Sequence, residues 1–449
     1  MSMIGQSNLV IINDGTFTQH VASSESLPQA AFEKLTKAVA LGAFHNSGER
    51  FDPPKCHPRT RIAITERIMN WILGKESTND FIVWLHGPAG AGKSAIAQRI
   101  AELCHEAKYL LASFFFSKSD SRRNRADLLF PTISYQIACA FPGARAMIEQ
   151  EINRDPLILT RSLEAQIVGL IVNPLKPLID SNVFADPTSR RLIILDGLDE
   201  VVDRQEQARI LQAISNVLSR NQMPLVFIIS SRPEQEILHA FSTEPLSRLT
   251  TRLLLDATFQ PDEDIRIFLD DSFADLKAEH PQKRHIPPSW PSSNSLDHLV
   301  EKSSGQFIYA STVIRFVKSL RHRPVERLEV VLGLRPVHRD LPFAELDALY
   351  MHILSALEFP DRTLQLIGVI LVASDVRNIK FSAIHELEQF LGLESGDVEF
   401  YLADMSSLIS CNDESTPTGI RILHASFSDF LLDPSRSGAF TIDRTATEL

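Results

Sequence analysis

The central part of the chain alternates short apolar runs with segments of helical periodicity. The apolar runs occupy 81–85, 110–116, 191–196, 225–230 and 252–256, and the segments with helical spacing occupy 94–107, 126–140, 162–180 and 204–219. Continuous apolar strands are typical of a sheet buried on both faces, and their alternation with helices is typical of parallel pairing. The pattern therefore predicts an α/β fold in which helices cover both faces of a parallel sheet.

The flanking segments follow different patterns. Residues 1–28 are polar with no sustained period and are expected to form a flexible arm. Apolar residues at helical spacing predict helices over 29–44 and 59–74, separated by a proline-rich stretch. After residue 256 helices dominate again, including a buried helix at "LIGVILVAS" (366–374), and a short strand pair is predicted between "ISCND" and "GIRILHAS".

Composition narrows the classes of function. The formal net charge of −11 argues against a general nucleic-acid binder, and the basic stretch "SRRNR" is interpreted as a solvated loop. The four cysteines form no C-x-x-C pair, so neither a zinc site nor a disulfide framework is indicated. There is no signal-peptide pattern, and no apolar run approaches the roughly 18 residues of a membrane span. An intracellular, cytoplasmic location is therefore expected.

The first apolar run ends in a glycine-rich turn that precedes a helical pattern. Residues 87–94 read GPAGAGKS, which matches G-x-x-x-x-G-K-[ST] in the strand–turn–helix context that this pattern requires. Glycines let backbone N–H groups approach phosphates closely, and the positive end of the following helix adds to the attraction. Lys93 is predicted to reach the β- and γ-phosphates, and Ser94 to hold Mg²⁺. The predicted nucleotide contacts here are Gly87, Pro88, Ala89, Gly90, Ala91, Gly92, Lys93, Ser94 and Ala95.

A later strand ends in a group of acids. "RLIILDGLDE" (191–200) places Asp196 at the end of the strand, where a carboxylate would hold Mg²⁺ through its waters. Asp199 or Glu200 would polarise the attacking water and, with Lys93, these acids form the predicted catalytic set. The alternative is that the acids only favour the N-terminus of a helix.

The strand predicted at 225–230 leads into "SSRP". Arg232 follows the end of this strand, beside the crevice where α/β folds bind nucleotides. A charge-assisted contact with the γ-phosphate is predicted for Arg232, and a surface salt bridge is the alternative.

Together, "WLHGPAGAGKSAIAQ", "LIILDGLDEV" and "IISSRPE" resemble a NACHT domain, a signal-transduction NTPase related to the AAA-type ATPases. "RFDPPKCHPRTRIAITERIMNWI" and "GQFIYASTVIRFV" resemble the NACHT proteins of mushroom-forming fungi, whose module is also described as a nephrocystin-3-like N-terminal region. The resemblance covers residues 40 to 435. It implies a sheet in which the P-loop strand lies next to the Arg232 strand, with the Asp196 strand beyond.

The resemblance also implies an order of regions and further contacts. The expected regions are an arm (1–28), N-terminal helices (29–78), a P-loop NTPase core (79–256), a helical lid (257–335) and a winged-helix-like module (336–449). His424, in "HASFSDF", matches a winged-helix histidine that contacts the β-phosphate in related immune receptors. The alternative is that His424 only packs against the lid, with Phe427 and Phe430 in the core. Thr60 and Arg61 match positions that contribute to the adenine pocket.

The implied function is a switch that binds a nucleoside triphosphate with Mg²⁺ and hydrolyses it slowly; the nucleotide is ATP or GTP, with ATP the favoured assignment. The triphosphate state would self-associate and the diphosphate state would stay closed, in fungal nonself recognition or programmed cell death. Two alternatives stay open: an interaction scaffold with negligible turnover, and a metabolic P-loop enzyme such as a small-molecule kinase. The repeats that usually follow such modules do not occur before Leu449, so the chain is expected to be a short member, a truncated gene model or a fragment. No protein partner and no nucleic acid are indicated.

Overall fold

The computed structural model describes residues 9–13, 16–20, 26–50, 53–75, 80–118, 120–184, 191–221, 223–318, 320, 322–333, 343–375, 383–405, 408–411, 420–422 and 425–443. The strands are β1 (Leu9–Asn13), β2 (Thr16–His20), β3 (Ile82–His86), β4 (Leu110–Phe115), β5 (Leu192–Asp196), β6 (Val226–Ser231), β7 (Thr250–Leu254), β8 (Ile409–Ser410) and β9 (Arg421–Ile422).

The helices are α1 (Ser26–Lys37), α2 (Ile62–Ile72), α3 (Lys93–Glu106), α4 (Leu129–Ala140), α5 (Pro142–Arg154), α6 (Leu163–Ile167), α7 (Asn173–Asp180), α8 (Arg204–Asn221), α9 (Gln235–Ser242), α10 (Pro261–Glu279), α11 (Ser293–Ser303), α12 (Phe307–Val317), α13 (Pro324–Val331), α14 (Ala344–Leu354), α15 (Pro360–Asp375), α16 (Ile384–Leu391), α17 (Asp397–Leu402), α18 (Ala425–Leu431) and α19 (Pro434–Ser437). The helices of the central part include the four predicted segments, whereas α5 and α9 were not predicted and α1 ends at Lys37, before the predicted end at residue 44. A π-helical turn, Val168–Val172, joins α6 to α7.

The predicted parallel sheet is present, with flanking helices. Its strand order is β4-β5-β6-β3-β7. β3 pairs in parallel with β6 and with β7, so that Ile82 lies opposite Phe227 on one side and Thr250 on the other. The strand before the P-loop therefore lies next to the strand before Arg232, with the Asp196 strand beyond, as the resemblance implies. All five positions of β5 are buried, as expected for a strand covered on both faces.

The described chain forms two compact units. The first comprises Met1–Phe51, Cys104–Ile194 and Glu200–Val226, and the second comprises Asp52–Leu103, Leu195–Asp199 and Phe227–Leu449. In the first unit the rings of Phe114, Phe115 and Phe130 are fully buried. β1 and β2 pair as an antiparallel hairpin that the polar pattern of the arm does not predict.

The arginines of the basic stretch 121–125 make contacts within the first unit. Arg122 donates to the carbonyl oxygen of Val39 at 2.7 Å. The Nε of Arg123 lies 2.7 Å from a carboxylate oxygen of Asp120. The contact of Arg122 holds the loop against the segment that follows α1, and the contact of Arg123 lies within the loop.

The second unit buries one continuous apolar cluster. It contains residues of α10–α13, which we call the lid helices after the lid predicted over 257–335, together with residues of α14–α18 and Ala89 of the P-loop. β8 and β9 form the short antiparallel pair that the sequence predicts. α15 contains the predicted buried apolar run. Among the described residues, no helix is both long and apolar enough to span a membrane.

Candidate functional site: the P-loop and the ends of β5 and β6

The turn between β3 and α3 has the backbone geometry of a phosphate cradle. Gly90 and Gly92 adopt φ values of +77° and +93°, a region that side-chain-bearing residues rarely enter. The N-terminus of α3 directly follows this turn, so its backbone N–H groups favour an anion there. Lys93 Nζ donates to the carbonyl oxygens of Gly87 at 2.8 Å and Pro88 at 2.9 Å. The ammonium group therefore lies within the loop, where a phosphate would compete with those carbonyls.

Asp196 ends β5 and is 4% exposed. Its Oδ1 accepts a hydrogen bond from the hydroxyl of Ser230, near the end of β6. Ser230 Oγ in turn accepts from the backbone N–H of Gly197 at 3.1 Å. Mg²⁺ prefers carboxylate, hydroxyl and water oxygens, so the donor chemistry of Asp196 and Ser94 fits a magnesium site.

Asp199 and Arg232 form a shielded ion pair. Asp199 Oδ1 accepts from the backbone N–H of Arg232 at 2.9 Å, and Oδ2 lies 3.1 Å from its Nε. Arg232 therefore forms a salt bridge, as its alternative has it, although the two side chains are only 6% and 20% exposed. Its contact with a γ-phosphate stays a prediction. Glu200 belongs to the first unit, where it accepts from the backbone N–H of Lys118 at 2.8 Å. The catalytic roles of both acids stay predictions.

Thr60 and Arg61 directly precede α2, and the structure gives them different surroundings. Thr60 Oγ1 donates to the carbonyl oxygen of His57 at 3.0 Å, which places it in a local turn. Arg61 is 4% exposed, and its Nη2 donates to the carbonyl oxygen of Ala91 at 2.9 Å. Its backbone N–H donates to a carboxylate oxygen of Asp264 at 2.9 Å. The base-pocket role of both residues stays a prediction, and Arg61 contacts the P-loop itself.

His86, the last residue of β3, lies in an environment that no sequence pattern indicates. Its ring stacks on Trp84, with centroids 4.1 Å apart and planes inclined by 19°. Burial, with further contributions from Arg252 and Lys93, lowers the pKa of His86 to about 4. Its Nδ1 is buried and has no hydrogen-bond partner among the described residues. The one feature of the sequence that could have drawn attention to His86 is its position directly before Gly87, the first residue of the P-loop.

α12 packs directly on the P-loop. A Cβ atom added to Gly90 would lie 2.3 Å from Cγ2 and 2.9 Å from Cβ of Ile308. Real Cβ atoms do not approach other atoms this closely, so only glycine fits at this position. Ala89 is 3% exposed within the cluster formed by the lid helices. The cradle and the lid helices are therefore in van der Waals contact.

His424 lies outside the described residues, so its predicted contact with the β-phosphate stays a prediction. The two aromatic residues that follow it belong to the core, as the alternative for His424 has it: Phe427 and Phe430 are fully buried. Their rings lie 5.1 and 5.3 Å from the ring of Tyr350. The Tyr350 hydroxyl makes a 2.8 Å hydrogen bond with Ser426.

Comparison with known proteins gives one family match. The model of the family described as "Nephrocystin 3, N-terminal" matches residues 60–232. No curated protein matches the sequence. Among solved structures, Drosophila ORC bound to GC-rich DNA and Cdc6 is 11% identical with a TM-score of 0.27, covering 90% of this chain and 69% of that chain. Drosophila ORC bound to AT-rich DNA and Cdc6 is 13% identical with a TM-score of 0.28, covering 91% and 69%. TM-scores this low do not establish a common fold. The similarity to the nephrocystin 3 N-terminal family extends from Thr60 to Arg232 and so includes the P-loop and the acids after β5.

Proposed function

We propose that the chain binds a nucleoside triphosphate with Mg²⁺ at the P-loop and acts as a switch with slow hydrolysis. The observation that carries the proposal is the contact between Gly90 and Ile308, because it makes the position of the lid helices depend on the shape of the cradle. A ligand shifts a conformational equilibrium only through contacts that differ between the two states. Because α12 packs directly on the phosphate loop, a phosphate that reshaped the loop would change this packing and so supply such a difference.

Each polar group near the cradle has a role in this proposal. Lys93 exchanges its two loop carbonyls for the β- and γ-phosphates, while Ser94 and Asp196 hold the metal ion. Arg232 exchanges Asp199 for the γ-phosphate and so distinguishes triphosphate from diphosphate. The base would be adenine rather than guanine, with Thr60 near the base.

The wider proposal follows the resemblance to NACHT proteins. The triphosphate state opens and self-associates, whereas the diphosphate state stays closed, with His424 on the β-phosphate. The output would be an intracellular signal in fungal nonself recognition or programmed cell death. The five regions expected from the sequence, from the arm 1–28 to the winged-helix-like module 336–449, are part of this proposal.

One observation favours a second candidate, an interaction scaffold with negligible turnover. Both carboxylate oxygens of Asp199 are engaged by Arg232, so the ion pair orients this acid towards the arginine and leaves fewer of its lone pairs for an attacking water. Turnover then depends on Glu200 or on release of Arg232. Comparing phosphate release by the wild type, Asp199→Asn and Glu200→Gln distinguishes the two candidates. Equal rates in all three proteins would favour the scaffold.

The central experiment measures binding of ADP and of a non-hydrolysable ATP analogue by calorimetry, with light scattering for size. The Lys93→Ala variant lacks the ammonium group that would form charge-assisted bonds to phosphate, so it should bind both nucleotides at least about tenfold more weakly than the wild type. Lys277→Ala is the matched control, since Lys277 is an exposed lysine on α10. An increase in size with the ATP analogue alone supports the switch. Unchanged affinity in Lys93→Ala would refute the cradle assignment.

A further inference from the structure

Arg61 contacts three separate parts of the second unit at once. Its Nη2 donates to the carbonyl oxygen of Ala91 in the P-loop at 2.9 Å, and its backbone N–H donates to Asp264 of α10 at 2.9 Å. The guanidinium carbon lies 4.8 Å from the ring centroid of Phe307, the first residue of α12. Arg61 is 4% exposed, so these contacts are made away from bulk water.

The contact with Ala91 determines the direction of a neighbouring backbone donor. The Ala91 carbonyl and the Gly92 N–H belong to one planar trans peptide, so they point to opposite sides of the chain. Because Arg61 holds the carbonyl, the Gly92 N–H points away from the guanidinium group. Gly92 directly precedes Lys93, and N–H groups at this place in a P-loop line the phosphate cradle.

The main chain around Arg61 is fastened to α10. Arg59 Nε donates to Asp271 of α10 at 2.9 Å, and His57 Nε2 lies 3.4 Å from the same carboxylate. Arg61 itself has a φ of +58°, a left-handed conformation at the residue before α2. With its backbone held in this way, the side chain of Arg61 extends between the P-loop and Phe307.

The Phe307 ring matters because Arg61 is a buried cation. The carboxylate of Asp264 engages its backbone N–H and lies close enough to favour the charge, while burial lowers the pKa of Arg61. The face of an aromatic ring stabilises a desolvated guanidinium group, and this preference depends on the ring staying in place. Displacing α12 would remove that ring and weaken the hold of Arg61 on Ala91.

Building on the proposed nucleotide binding, we propose that Arg61 is a positioning residue that aims the Gly92 N–H at the phosphates. Phe307 of α12 makes this alignment depend on the lid helix. The proposal differs from a role in the base pocket, because the guanidinium group acts on the peptide of the P-loop. It supplies a second route, separate from Gly90 and Ile308, by which α12 and bound phosphate influence each other.

The test is a double-mutant cycle on the dissociation constant for ADP, using Arg61→Lys, Phe307→Leu and the double variant in the full chain. Lysine keeps the charge but cannot both stack on the ring and donate through a planar fork. Phe316→Leu is the matched control: Phe316 lies on the same helix, under a different guanidinium group, that of Arg327, at 4.1 Å. Thermal unfolding of each variant separates loss of stability from loss of affinity.

We expect Arg61→Lys to weaken ADP binding about tenfold and Phe307→Leu about threefold. The double variant should bind no more weakly than Arg61→Lys, and Phe316→Leu should bind ADP like the wild type. Should Arg61→Lys fail to fold, the comparison of Phe307→Leu with Phe316→Leu still decides: equal affinities overturn the proposal. It is also overturned if Arg61→Lys lowers the melting temperature while leaving ADP affinity unchanged, or if Phe307→Leu retains its full effect beside Arg61→Lys.

The same measurements identify a failure of the proposed function. If the wild type does not bind ADP, or if Lys93→Ala binds ADP as tightly as the wild type, the nucleotide site is wrong and the role of Arg61 is refuted with it. If Lys93→Ala loses binding while Arg61→Lys keeps it, the site is right and only the role of Arg61 is refuted.

Discussion

Replacing His86 by glutamine tests the environment at the end of β3. Burial, followed by the charges of Arg252 and Lys93, lowers the pKa of His86 from 6.5 to about 4. Between those two values the unfolded chain binds a proton that the folded chain does not bind. The contribution of His86 to the free energy of unfolding therefore falls as the pH falls through this window. Above pH 6.5 and below pH 4 this contribution is nearly constant.

The two pKa values set the size of the effect. Moving from pH 8 to pH 5 should reduce the free energy of unfolding by about 2 kcal/mol through His86, and the loss approaches about 3 kcal/mol below pH 4. The assay is urea unfolding of the wild type and His86→Gln at both pH values. Other titrating groups act in both proteins, so the change in the difference between them isolates this histidine.

We expect the stability advantage of the wild type over His86→Gln to shrink by about 2 kcal/mol between pH 8 and pH 5. His298→Gln, which removes an exposed histidine from α11, is the control for histidine removal. A difference between wild type and His86→Gln that is the same at both pH values would refute the reasoning. So would an NMR titration that places the midpoint of the His86 imidazole near 6.5.

Two further substitutions test the packing of the second unit. Gly90→Ala should destabilise the protein by at least about 1 kcal/mol in thermal unfolding, because Gly90 has a positive φ and Ile308 lies close to it. The control is Gly48→Ala, because a Cβ atom added there meets no atom within 4 Å. A Gly90→Ala variant as stable as the wild type would contradict the contact with Ile308. Arg436→Ala should cost about 3–5 kcal/mol, because Asp347, whose side chain is 13% exposed, would lose its two-pronged partner. A cost near zero for Arg436→Ala in urea unfolding would show that the pair is solvated.

The strands of the sheet could be predicted from the sequence because each is a continuous apolar run. β5 and β6 begin and end within one residue of the predicted runs 191–196 and 225–230. The strand order followed from the resemblance rather than from periodicity, since apolar runs do not encode which neighbour they pair with. The hairpin of β1 and β2 was missed because the apolar run of β1 is only four residues long and lies in an otherwise polar segment.

The candidate site shows where sequence patterns stop being informative. Gly90 occupies an x position of the P-loop motif, so the motif does not require glycine there; its positive φ and the approach of Ile308, more than two hundred residues later, do. The partners of Arg61 are likewise distant in sequence, so the motif that suggested a base contact could not indicate a contact with Ala91. His86 carries no motif, and its low pKa arises only when burial and two cations are brought together by folding.

The ion pair between Asp199 and Arg232 links switching and hydrolysis in the proposed function. Breaking a shielded ion pair without a replacement partner is costly, because it leaves an uncompensated charge away from water. A γ-phosphate would supply the replacement for Arg232, and the same exchange would release the oxygens of Asp199 to accept a hydrogen bond from water. A diphosphate lacks the oxygens that draw Arg232 away, so Asp199 would stay engaged. One exchange would then both report the triphosphate and prepare its hydrolysis, which makes slow turnover the step that resets the switch.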